Sequence, residues 1–72
     1  MSFMSDAYYC LAITTFTDRG TCTEHYTRSR VDIRTMIARY IADNGLRRNA
    51  YSDCEQLFSG DTHVGHYTIT PR

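Results

Sequence analysis

No stretch of this chain approaches the run of about 20 apolar residues that a bilayer-spanning helix needs, which excludes a transmembrane helix of the usual kind. The segment MSFMSDA that opens the sequence lacks both the basic start and the apolar centre of a secretory signal, so a cytoplasmic protein without a membrane partner is expected. Lysine is missing altogether: all eight basic residues are arginine, and eight acids balance them. Nothing in the physical chemistry of the chain accounts for the missing lysine, but the balance has a consequence. Non-specific nucleic-acid affinity comes mainly from neutralising phosphates, so a net charge of zero speaks against a general nucleic-acid coat and leaves room only for a localised patch.

Other signatures are absent too. The sequence contains no G-x-S-x-G, no G-x-x-x-x-G-K-[ST] and no G-x-G-x-x-G, which removes the usual marks of a hydrolase or a nucleotide-binding loop. Its three cysteines, Cys10, Cys22 and Cys54, are odd in number and form no C-x-x-C pair. That pattern suits reduced thiols in a reducing compartment better than a disulfide framework. There is no internal repeat, linker or low-complexity tract. With 72 residues, one small domain is expected over residues 7–72, preceded by a flexible tail at 1–6, and its core must be thin.

What is present is organised around Ser29 to Leu46. Ser29 stands before an apolar-periodic run with Asp32 three places on, which is a helix start: the hydroxyl accepts from open backbone N–H groups and the acid faces the positive helix end. Asn44-Gly45 followed by Leu46 is a Schellman-type stop. Between them Ile33, Met36, Ile37, Tyr40 and Ile41 recur at three- and four-residue spacing on one face. A helix of this length is marginal in water by itself, so another element must cover the isoleucines.

The segment Ala7 to Thr17 is rich in β-branched and aromatic residues and apolar at odd and even positions alike, the mark of a central strand. Asp18-Arg19-Gly20 turns it into a second strand, Thr21 to Thr27, with Thr17 facing Thr21. Leu11 and Ile13 then share the face that receives the helix, and Cys10, Phe16, Cys22, Glu24 and Tyr26 share the other. Arg47-Arg48-Asn49 reads as a polar connection beyond the helix end. Ser52-Asp53-Cys54-Glu55 matches a capping box and predicts a second, short helix ending at Ser59-Gly60. Thr62 to Thr70 reads as a last strand, weakened by Gly65 and placed beside the first. The expected fold is therefore a small α+β domain, β-β-α-α-β, with a three-stranded, mostly antiparallel sheet of order 2-1-3 and helices on one face.

Three kinds of chemistry have candidate residues. Cys10, Cys22, Cys54, His25, His63 and His66 include enough soft ligands for zinc, but their spacing lacks a ligand signature, and His63 and His66 on one strand should point to opposite sides. Cys54 in the first turn of the second helix would feel the helix dipole, which favours a thiolate, whereas Asp53 and Glu55 beside it oppose one. The third candidate is the sheet face away from the helices. There Tyr8, Phe16 and Tyr26 with Arg28 at the rim form the aromatic-plus-arginine composition that marks protein interfaces.

The function these features imply is a small non-enzymatic protein-binding module that self-associates as a homodimer and acts as an adaptor or inhibitor, in the manner of phage or mobile-element accessory proteins. No catalytic residue, cofactor or metal is expected. The first alternative is a nucleic-acid-binding regulator using Arg28, Arg30, Arg34, Arg47 and Arg48, and the second is a thiol- or metal-dependent enzyme.

Overall fold

The computed structural model describes residues 8–16 and 20–71. The expected tail at 1–6 lies outside the described residues, as do Thr17, Asp18 and Arg19 of the expected hairpin loop. The elements run β1 (Tyr9–Thr15), β2 (Thr21–Thr27), α1 (Arg30–Asp43), β3 (Arg47–Arg48), β4 (Cys54–Ser59) and β5 (Thr62–Pro71). All strand pairs are antiparallel, in one sheet of order β2-β1-β5-β4-β3. No helix among the described residues is long and apolar enough to cross a membrane.

The helix begins and ends for the reasons its sequence supplies. The Ser29 hydroxyl accepts from the Asp32 N–H at 3.2 Å, and at the far end Leu46 N–H donates to Ile41 O at 2.9 Å while Gly45 N–H donates to Ala42 O at 3.3 Å. Those two bonds are the Schellman pair, and they require the positive φ of 63° that Gly45 adopts. Ile33 and Ile37 point into a core made with Leu11 and Ile13 of β1, Leu57 of β4, and Tyr67 and Ile69 of β5. Each fully buried aliphatic in that cluster contributes about 1.5–3 kcal/mol. The helix covers one face of the sheet only, so the domain has two layers.

The three-stranded sheet with two helices is corrected to a five-stranded sheet with one helix among the described residues. The second helix is instead strand β4. Its capping-box residues are used otherwise: the Ser52 hydroxyl donates to Cys54 O at 2.6 Å, closing a turn, and Glu55 Oε1 accepts from the N–H of Gln56 and not from Ser52. A strand also disposes of Leu57 and Phe58 better, since alternation sends Leu57 into the core and Phe58 to the opposite face. The long β5 needs a partner on each side, and β4 satisfies the side that β1 does not. Arg47-Arg48 is likewise strand β3, paired with Phe58 and Leu57. The last strand does lie beside the first, as order β2-β1-β5.

The hairpin register also differs. Thr21 faces Thr15 and not the expected Thr17, while the Phe16 N–H continues the ladder to β5 by donating to Val64 O at 2.8 Å. The two registers differ by an even number of residues, so every side chain keeps its face. Gly65 is a close-approach site and not a weakness: a Cβ there would lie 2.2 Å from Thr14 O of β1.

Candidate interaction surface

Alternation along the strands decides which side chains the helix leaves uncovered. With Leu11, Ile13, Tyr67 and Ile69 in the core, the register places Tyr26, Glu24 and Cys22 of β2 opposite Cys10, Ala12 and Thr14 of β1 on the outer face. His66 and Thr68 of β5 and Gln56 and Cys54 of β4 continue that face across the sheet. No helix among the described residues lies on that face, and its aromatics gather at two ends.

At one end Arg28 donates to the Tyr8 hydroxyl at 3.2 Å and lies 5.1 Å from the centre of its ring. Beside them Tyr26 donates to Glu24 Oε1 at 3.0 Å. Hydrogen bonding to Cys10, and next to Glu24, raises the Tyr26 hydroxyl above its ordinary pKa of 10.0. The ring of Tyr26 is 50% exposed and that of Tyr8 38%. At the other end Phe16, 51% exposed, packs edge-on against His63 at 5.0 Å and tilted against His66 at 5.8 Å. Phe58 meets His63 at 5.3 Å, and Arg47 covers Phe58 at 4.9 Å.

The four expected interface residues therefore separate. Tyr8, Tyr26 and Arg28 come together, whereas Phe16 lies eight residues beyond Tyr8 and six beyond Cys10, the partner of Tyr26, about 20–26 Å away at strand rise. His63, His66, Phe58 and Arg47 are its neighbours, and sequence reasoning missed them as a group. The signal was hidden by a bulge: Leu57 pairs with Gly65 but Phe58 pairs with His63, so Val64 is an extra residue on β5. That extra residue brings His63 onto the same face as His66, where strict alternation would have opposed them.

The remaining candidates are dispersed. Cys10 is buried, Cys22 and Cys54 are exposed, and all three are free thiols. Cys54 sits on a strand, so the helix dipole expected to activate it is not there. No group of three or more metal-ligating side chains occurs among the described residues. Four of the arginines hold the domain's own parts: Arg30 and Arg34 reach Asp53 at 2.5 and 2.9 Å, Arg48 donates to the Tyr67 hydroxyl at 2.9 Å, and Arg47 donates to Gly60 O at 3.1 Å. They do not form one stripe with Arg28.

One groove accompanies this surface on the helix side. It measures about 470 Å³ and lies between α1 and β2, floored by Leu11 and Ile13 and rimmed by His25, Met36, Arg39 and Tyr40. Helix α1 touches both β1 and β2, and the groove is the space left beside it where the side chains of β2 stay exposed.

Compared with known proteins, the chain matches no family model, no curated protein and no solved structure.

Proposed function

We propose that this chain is a small non-enzymatic protein-binding module of the cytoplasm that self-associates, acting as an adaptor or inhibitor of the kind carried by phages and mobile elements. The observation that carries the reading is the open sheet face, where Tyr8, Tyr26 and Arg28 lie together beside β2, a strand whose first six residues are all exposed. Exposed tyrosine beside arginine is the composition of interface anchors, and an exposed edge strand is a template for a further strand. The nucleic-acid alternative through Arg28, Arg30, Arg34, Arg47 and Arg48 has less support, because Asp53 engages two of those guanidinium groups and offsets one of their two charges. The thiol-enzyme alternative has lost the helix on which it stood.

Native mass spectrometry of the untagged, reduced protein tests the reading. A dimer that Tyr26→Ala weakens while unfolding stays cooperative supports it. A monomer at every concentration, or a dimer indifferent to Tyr26→Ala, overturns it.

A further inference from the structure

The backbone geometry says which residues of β2 could take another strand. Phe16 N–H donates to Val64 O, so within β1 the even-numbered residues bond toward β5 and the odd-numbered ones toward β2. Ile69 N–H donating to Asp53 O fixes the same phase across β4 and β5. Through the pairs Tyr9 with Thr27, Leu11 with His25, Ile13 with Thr23 and Thr15 with Thr21, the odd-numbered residues of β2 face β1. Cys22, Glu24 and Tyr26 therefore direct their N–H and C=O groups outward, where no strand follows among the described residues.

We infer that the partner on this edge is a second copy of the chain, its β2 antiparallel to the first and centred on His25. This deepens the proposed function and rests on it. A two-fold axis pairs each residue with its symmetry mate, so the choice of centre decides which charges meet. Centring on Glu24 aligns the whole strand but sets two like carboxylates directly opposite each other, which is destabilising. Centring one residue later, on His25, pairs Glu24 of each protomer with Tyr26 of the other. Arg28 then lies diagonally next to that carboxylate, within reach of a long side chain. The hydroxyl of Tyr26 already donates to this carboxylate type within the chain, and a net charge of zero offers no overall repulsion between copies. The backbone bonds in this register join Glu24 to Tyr26 twice. The His25 pair occupies the non-hydrogen-bonded position on the axis, facing the helix side, and the grooves of the two protomers abut there. The two sheets become one continuous sheet with the aromatic ends side by side.

The phase also supplies a clean disruption. Glu24→Pro removes an outward N–H and no bond to β1, and proline is tolerated at such edge positions. The variant should remain folded by circular dichroism and lose two intermolecular bonds per dimer, weakening association about thirtyfold. The register is read by oxidative cross-linking in a Cys22→Ser, Cys54→Ser background. At the axis the two Cα atoms stand about 4.5 Å apart, inside the disulfide range, so His25→Cys should cross-link rapidly. Glu24→Cys places its thiols on a diagonal at roughly 7–8 Å and should cross-link slowly. A dimer in which Glu24→Cys cross-links faster than His25→Cys, or in which neither does and a folded Glu24→Pro variant associates normally, overturns this inference and leaves the proposed function standing. A protein that is monomeric throughout overturns both.

Discussion

The two edges of the sheet are finished in opposite ways. At the β3 edge only Arg47 and Arg48 are paired, and the chain on either side is tied down. Arg48 bonds the Tyr67 hydroxyl and stacks 4.3 Å from the Tyr51 ring, while Arg30 and Arg34 hold Asp53 against the helix start. Short strands with charged side chains are how sheets discourage edge pairing. The β2 edge has the seven residues Thr21–Thr27, with Glu24 its one carboxylate, no proline, and no register shift against β1. The fold thus protects one edge and leaves the backbone groups of the other exposed.

The largest effect should come from removing the anchor of the protected side. Tyr67 is wholly buried, and its hydroxyl donates to Ser52 O at 2.6 Å while accepting from Arg48. Tyr67→Ala should cost about 3–5 kcal/mol, enough to unfold much of a domain this small, and denaturant unfolding followed by circular dichroism measures it. Gly65→Ala comes next. Its new Cβ would press on the backbone of Thr14 at the β1–β5 seam, and about 2 kcal/mol of lost stability is expected in the same experiment.

Asp53→Ala should act on the β3 edge alone, with a smaller effect. Its partners Arg30 and Arg34 are half-exposed, at 47% and 52%, so solvent screening limits the loss to about 1 kcal/mol or less. Amide exchange should rise in β3 and β4 and stay unchanged in β2. Glu24→Lys should move stability by no more than about 0.5 kcal/mol, yet it replaces the carboxylate that faces Tyr26 and Arg28 across the proposed axis. Sedimentation should show its dimer weakened while its unfolding midpoint is kept. Last, the raised Tyr26 pKa has a direct optical reading. With the neutral phenol favoured in the folded state, Tyr26 should ionise above its ordinary value of 10.0, and Cys10→Ala should shrink that lag more than Glu24→Gln.

Much of the fold was legible in the residues, and each miss has a physical reason. Helix α1 carried both of its caps in the sequence, and Leu11 and Ile13 on one strand face demand a large apolar partner, which Ile37 and Ile41 were expected to supply; the core holds them with Ile33 and Ile37, and Ile41 is only partly buried. Strand β4 was misread because a serine with a glutamate three residues on serves a strand-entry turn as readily as a helix start. Single-element patterns could not reveal that β5 needed a second neighbour. Of the surface, Tyr8, Tyr26 and Arg28 were legible as a group by strand parity. The Phe16 end was not, because the extra residue Val64 changes the face of His63 and nothing in the local sequence announces a bulge.

The most direct test of an open β2 edge taken up by a second copy is residue-resolved amide exchange on the concentrated, reduced protein. Thr23 and His25, which face β1, should be protected at any concentration. Glu24 should gain protection as the protein is concentrated and lose it on dilution. If the Glu24 amide exchanges as an open edge amide at all concentrations while Thr23 and His25 stay protected, β2 takes no second copy and the account is wrong at its centre.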